Sequence, residues 1–170
     1  MQDNAYLKCI NPKCSLEYPI SSTNVQCEKG HVLDVKYKNK SSPNLKETFY
    51  QRRNSKGSIF NESGVWRFRE LLNFCQIDTE DNDECAKFLV SLDGAEGRQS
   101  KPYQMSKAAE FIGINKEGLW LQPEGYNPSG SFKDNGMATA VTHAKLVGAK
   151  KIVCASTGNT SASAGMFAAN

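Results

Sequence analysis

Asn127-Pro128-Ser129-Gly130-Ser131-Phe132-Lys133-Asp134-Asn135-Gly136 and, further on, Ala155-Ser156-Thr157-Gly158-Asn159-Thr160-Ser161 decide how this chain is read. Each is a small, polar, glycine-bearing loop set between an apolar run that reads as a strand and an alanine-rich run that reads as a helix. Backbone N–H groups without intrahelical partners gather at such helix starts, where they favour anions. The first loop places Lys133 at the positive end of a helix dipole. There an ammonium partly withdrawn from water is disfavoured, and the neutral amine that can attack a carbonyl becomes more populated. Lys133 is therefore expected to be a Schiff-base lysine; the competing reading is a solvated residue at a helix start.

Working outward, a helix is expected from Ser131 to about Val147, with Met137, Val141 and Ala144 on one face and Gly148 as its stop. Leu119-Trp120-Leu121-Gln122 and Ile152-Val153-Cys154-Ala155 read as strands feeding the two loops, the second apolar throughout as in a parallel sheet covered on both faces. Upstream, Ser106–Phe111 reads as a short helix ending at Gly113, and Phe88–Leu92 as a strand. A helix is expected from Ser63 or Gly64, with Val65, Phe68, Leu72 and Cys75 on its buried face, before an acidic stretch from Asp78 to Glu84. Alternating strands and helices at short intervals imply an α/β fold with right-handed crossovers. His143 falls about three turns beyond Lys133, roughly 15 Å away at 1.5 Å per residue, too far to share its chemistry.

The first 40 residues read as a separate small module. Cys9 and Cys14 are separated by four residues, and Cys27 and His31 by three, the close pairing in two turns that a tetrahedral zinc site needs. Cys9, Cys14, Cys27 and His31 are thus candidate ligands of a zinc-ribbon-like module; reduced cysteines in a small hairpin are the alternative. Lys38–Asn44 is a polar linker, Asn44–Tyr50 a short helix, and Gln51–Gly57 a basic loop whose Arg52, Arg53 and Lys56 read either as a phosphate patch or as a solvated turn. The expected domains are 1–40, the ribbon, and 41–170, the α/β part. Cys75 and Cys85 need no chemistry, since free cysteine usually packs as a small hydrophobe.

Bulk properties exclude several classes. A net charge of +3, spread along the chain, gives no footprint for nucleic acid. No apolar run is long enough to cross a bilayer, and Met1-Gln2-Asp3-Asn4 starts no export signal, so a cytoplasmic protein is expected. In a reduced compartment clustered cysteines bind metal more often than they bridge.

Gly130-Ser131-Phe132-Lys133-Asp134 with Gly136-Met137, the run from Ala155 to Ser163, and Ser63-Gly64-Val65-Trp66-Arg67-Phe68-Arg69-Glu70-Leu71-Leu72 resemble the threonine synthase family of fold-type II pyridoxal phosphate (PLP) enzymes. The likeness is tight from about Leu119 onward and looser before residue 60. It implies a tryptophan synthase β-like parallel sheet, with Lys133 as the lysine that holds PLP and Asn159 as the hydrogen-bond partner of the 3′-oxygen of its ring. It also implies Ser156, Thr157, Asn159 and Thr160 as the cradle of the substrate α-carboxylate. The implied reaction turns O-phospho-L-homoserine and water into L-threonine and phosphate.

This sequence departs from the family in three places: Asn135 stands where Arg is common, Arg98–Tyr103 replaces a Thr-Pro-Leu-like element, and the ribbon turns are wider than C-x-x-C. A contact of Ser100 or Lys101 with substrate is weighed against a surface turn. The glycine-rich phosphate loop and the pyridine-nitrogen partner of the family have no counterpart in residues 1–170, so the catalytic domain reads as an N-terminal part, truncated and inactive alone. Alternatives are a serine/threonine dehydratase, a cysteate synthase, or a non-catalytic ribbon fused to an α/β remnant.

Overall fold

A computed structural model describes residues 5–38, 44–55, 57–72, 89–97 and 102–170. Expectations for Lys56, Cys75, Asp78–Glu84, Cys85, Phe88, Ser100 and Lys101 lie outside the described residues.

Strands β1 (Ala5–Cys9), β2 (Glu17–Pro19) and β3 (Leu33–Tyr37) form an antiparallel sheet in the order β2-β1-β3. Leu7 lies opposite both Tyr18 and Val35, and Cys9 opposite Leu33. A hairpin-rich module of this size has little apolar surface to bury, and its compact centre is the group Cys9, Cys14 and Cys27, with Leu16, Tyr18 and Leu33 packed around it.

Helix α1 (Leu45–Asn54) runs four residues beyond the expected end, so Arg52 and Arg53 belong to its last turn, where cations suit the helix dipole, and not to a loop. After α2 (Ile59–Glu62), capped by the Ser58 hydroxyl, Trp66–Leu71 forms a 3₁₀ helix bent at Phe68 in place of the longer expected helix. Trp66 and Arg69 face inward. The Arg52 guanidinium grips the Glu70 carboxylate with both terminal nitrogens, Nη1 to Oε2 at 2.6 Å, and also donates to the Arg67 carbonyl. That pair ties α1 to the 3₁₀ turn.

Further on come β4 (Tyr103–Gln104), α3 (Ser106–Phe111), β5 (Trp120–Leu121), α4 (Lys133–Leu146) and α5 (Asn159–Ala169). Gly113 and Gly148, at φ +77° and +76°, end α3 and α4 as left-handed residues. The buried stripe of α4 is Asp134, Ala138, Val141 and Thr142, spaced by three and four, and α5 meets it with Ser163, Ala164 and Phe167. Trp66, Val90, Ala138, Val141 and Phe167 make the main core, with Phe60, Val65, Leu72, Leu89, Leu92 and Met137 packed against it.

The expected parallel sheet, read from sequence as incomplete, is not seen among the described residues. Among the described residues no two strands pair in parallel; β5 pairs antiparallel with β4, and Ile152–Ala155 belongs to no strand. A parallel strand needs neighbours to complete its ladder, and without them Leu121, Ile152 and Val153 stand 50%, 42% and 92% exposed. Leu89–Leu92 is not a strand either; its backbone is satisfied by side chains. Trp66 Nε1 donates to the Val90 carbonyl at 2.9 Å, and the Val90 N–H donates to Thr142 Oγ1 at 2.9 Å. Glu96, fully buried, accepts from the hydroxyls of Ser63 and Ser91, both at 2.7 Å, and from the Leu92 N–H.

The sheet module meets α4 on the face away from α5. His143 Nε2 lies 3.1 Å from the Ile20 carbonyl, over a groove of about 260 Å³ lined by Leu7, Ile20, Val35 and Thr139 among others.

Burial pushes the Glu70 carboxyl up, but the hydrogen bond and charge of Arg52 outweigh it and hold it below its ordinary 4.5. Such a depressed carboxylate contributes stability that is complete above about pH 4.5 and is lost as pH falls below it. Glu70→Gln is expected to lower the urea midpoint at pH 7, and the gap to the parent should narrow on acidification below pH 4.5. A gap independent of pH would show that the ion pair does not stabilise the α1 packing.

Candidate functional site

The site begins with a buried carboxylate. Asp134 has no exposed surface, and a charge so placed is tolerated only when its lone pairs are filled. Its Oδ2 accepts the Ser129 N–H at 2.8 Å, and its Oδ1 accepts the hydroxyls of Ser129 and, at 2.6 Å, Ser163. Ser129 belongs to the lysine loop and Ser163 to the second turn of α5. One carboxylate therefore clasps the beginnings of α4 and α5 together, with Lys133 one residue before the clasp on one side and Asn159 one turn before it on the other.

Lys133 opens α4 and is half-buried. Its backbone N–H donates to Ser131 Oγ, and Nζ stands 4.4 Å from the centroid of the Phe132 ring. No carboxylate pairs with this amine among the described residues, so its charge is met by a ring face and solvent. Gly130, at φ +79°, makes the tight turn that presents Phe132 and Lys133 outward, Phe132 with 57% exposure.

At the other loop, Ser156 is half-buried, Thr157 and Asn159 are exposed, and Thr160 is half-buried. Ser156 Oγ accepts the Gly158 N–H at 3.3 Å, and the Ser161 hydroxyl folds back onto the Ser156 carbonyl. Gly158 caps α5 with no side-chain bond, and a Cβ built there would meet nothing within 4 Å. The first N–H groups of α5 thus face open space, an arrangement suited to a carboxylate. Ser156, Thr157, Asn159 and Thr160 thus lie together at the start of α5, which packs against α4, the helix that carries Lys133.

Around it, Asn127 ties the lysine loop to Gly97, whose N–H donates to Asn127 Oδ1 at 2.7 Å. Asn127 Nδ2 and Asn135 Nδ2 both donate to Glu124 Oε2, at 2.8 and 3.1 Å. Asn135 is thus held to Glu124 by a hydrogen bond, where an arginine would offer an ion pair. Asp134 caps the lysine turn, as its place beside Lys133 in the sequence suggests, whereas the contacts of Ser163, Glu124 and Asn127 were not read from sequence. The available signal was a serine on the buried face of the otherwise small and apolar 162–169 run. His143, by contrast, serves the junction with the sheet module.

The other candidate site lies in that module. Cys9, Cys14, Cys27 and His31 bring one ligand atom each within 4.8 Å of all the others. Cys9 Sγ and Cys27 Sγ are 3.8 Å apart, and Cys27 Sγ and His31 Nδ1 are 3.6 Å apart. Tetrahedral zinc, with Zn–S near 2.3 Å and Zn–N near 2.0–2.1 Å, sets these edges at about 3.8 and 3.6 Å, whereas a disulfide brings sulfurs to about 2.05 Å. Asn11 meets the other ring nitrogen of His31 at 3.0 Å and donates its N–H to Cys9 Sγ at 3.4 Å, the outer contacts that orient metal ligands. Burial pushes the Cys9 thiol up. It acts on Cys27 in the same direction, but hydrogen bonds from the backbone of His31 and Lys29 outweigh it and bring that thiol down from 9.0 to about 7.

Residues 98–170 match the family model described as pyridoxal-phosphate dependent enzyme. The chain is 35% identical over 162 residues to threonine synthase of Methanocaldococcus jannaschii, covering 95% of this chain and 34% of that relative. It is 49% identical over 67 residues to threonine synthase of Methanosarcina acetivorans (39% of this chain, 16% of the relative) and 65% over 51 residues to that of Bacillus sp. strain ULM1 (30% and 14%). The chain thus spans about a third of the longest-matching of these relatives.

Ser163→Ala removes one donor to the buried Asp134 carboxylate and is expected to cost about 1–3 kcal/mol of stability. Thermal unfolding with and without PLP measures this; a loss of PLP-induced stabilisation beyond the change in Tm reports slackening of the clasp. Unchanged behaviour in both would show that the two helix starts are held together otherwise.

Proposed function

We propose, from the resemblance of this chain to the N-terminal portion of threonine synthase, that it supplies the lysine and asparagine loops of a PLP enzyme making L-threonine and phosphate from O-phospho-L-homoserine and water. The observation that carries this is the Asp134 clasp, which holds the start of α4, with Lys133, to the first half of α5.

The residues suit the cofactor. Lys133 Nζ, free of carboxylates among the described residues, would hold its aldehyde carbon, and the Asn159 amide would bond its ring 3′-oxygen. PLP, when bound, supplies an electron sink for charge developing at the substrate α-carbon. Ser156, Thr157 and Thr160 hydroxyls, with the first N–H groups of α5, would bind the α-carboxylate and fix the substrate's orientation. Lys133 Nζ would also take and return protons at the substrate, with the Phe132 ring lying against it on one side.

Threonine formation is expected from a chimera joining this chain to the remaining two thirds of the Methanocaldococcus jannaschii relative, and none from residues 1–170 alone. Lys133→Ala should abolish it, and borohydride should fix a phosphopyridoxyl group on Lys133 in the parent. Release of 2-oxobutyrate without threonine would favour a dehydratase, and absence of any Lys133 adduct a non-catalytic role.

We also propose that Cys9, Cys14, Cys27 and His31 hold structural zinc. The tetrahedral edge lengths support this, and Cys27, with its thiol near pH 7, is the ligand best prepared to bind as thiolate. About one zinc per chain is expected by elemental analysis, lost when any two ligands are changed, with unfolding of the three-stranded sheet. A folded sheet free of metal would overturn it.

A further inference from the structure

A second concave surface lies on the far side of the 3₁₀ turn, where α1 crosses it. It is a cavity of about 670 Å³ floored by Phe49, Tyr50 and Phe68 and rimmed by Lys46, Arg53 and Arg67. The size lies within the range of small-ligand sites, and the apolar floor with few polar groups at the rim is their usual make-up.

The aromatic floor has a definite shape. Phe49 and Phe68 meet edge to face, with centroids 4.9 Å apart and planes at 79°, so their faces point in different directions and leave a corner. Arg67 lies over the Phe68 ring, its guanidinium carbon 5.1 Å from the centroid. Tyr50 adds an exposed ring, at 65% of its surface.

The charges at the rim are poorly matched within the chain. Arg52, one residue before Arg53, is satisfied by Glu70 and turned to the other side. Among the described residues no carboxylate pairs with Arg53, Arg67 or Lys46, and the one acid at the rim, Glu47, is engaged by Gln51. Arg67 is half-buried, and burial first, then the charge of Arg53, works against its own charge. Two guanidiniums that repel each other over an apolar floor are stabilised together by one bound anion, and guanidinium is the group that best fits phosphate.

We propose that this surface binds an organic anion with a flat aromatic body, a nucleoside phosphate being the simplest member of the class, with the phosphate between Arg53 and Arg67 and the ring against Tyr50 and Phe49. Lys46 adds a third charge from the first turn of α1. The site is distinct from the Lys133 loop and does not depend on PLP.

The test is titration of the full chain with ADP, inorganic phosphate and adenosine in separate calorimetric runs. Saturable ADP binding is expected, tighter than either half-ligand, and weakened roughly tenfold or more by Arg67→Gln or by Arg53→Gln, as loss of a charged hydrogen bond implies. Arg53 is exposed, so its replacement leaves folding intact, and circular dichroism checks this for both variants. Lys133→Ala, measured alongside, should leave ADP affinity unchanged. No saturable binding overturns the proposal, as does affinity unmoved by both arginine variants. Phosphate binding as tightly as ADP overturns the aromatic half of it, and loss of binding in Lys133→Ala would move the site to the lysine loop.

Discussion

A carboxylate withdrawn from water must be given as many hydrogen bonds as water gave it, and Asp134 meets that demand from two directions. The requirement cannot be met by the lysine loop alone. It draws in Ser163, and with Ser163 the whole first half of α5, so the helix that starts at Asn159 cannot rotate or slide without stranding a buried charge. The apolar contacts among Ala138, Val141 and Phe167 determine that the two helices pack; the clasp determines their register at the end where chemistry is proposed. A non-directional force supplies most of the energy, and a directional one the alignment.

The same division runs through the segment 89–97. With no strand beside it among the described residues, this stretch satisfies its backbone from side chains: Thr142, Trp66 and Asn170 reach Val90 and Ser91, and Glu96 gathers the Ser63 and Ser91 hydroxyls. The arrangement leaves little room to spare. A Cβ on Gly64 would lie 2.3 Å from the Gly97 carbonyl carbon, so the two backbones touch where the N-terminal half of the α/β part meets the lysine loop. Gly97 in turn passes its N–H to Asn127, so the buried acid and the lysine loop belong to one polar chain.

What could be read from sequence was what is encoded locally. Gly113 and Gly148 marked helix ends because a left-handed residue is a local requirement, and Val141 with Met137 marked a face because period 3.6 is local too. The gathering of Cys9, Cys14, Cys27 and His31 was legible through spacing, since Cys9 with Cys14 and Cys27 with His31 each close within a turn. The strands were legible only in part: the expected Leu119–Gln122 contains β5, whereas Ile152–Ala155 pairs with nothing among the described residues. Apolar runs such as Ile152–Ala155 announce burial, but pairing is a property of neighbours, and an apolar run without a neighbour is only an extended segment. Asp134 was legible as a cap of its own turn, where Ser129 meets it, but its bond to Ser163, 29 residues ahead, was not, nor was that of Glu96 to Ser63, 33 residues behind.

The contact between His143 and the Ile20 carbonyl joins residues 123 apart in the chain, whereas the three-stranded sheet is closed by pairings that span at most 32 residues. Loop-closure entropy grows with the logarithm of length, and distant contacts form after near ones. During vectorial synthesis the sheet module is therefore complete once Tyr37 has emerged, while its docking partner on α4 is still about a hundred residues from being made. For that interval the apolar underside around Leu7, Ile20 and Val35 has nothing to cover it. The module must hold its shape from within, and three cysteines and a histidine gathered at its centre are where such self-sufficiency would come from. The order of the chain thus has the sheet synthesised long before the helix it rests on.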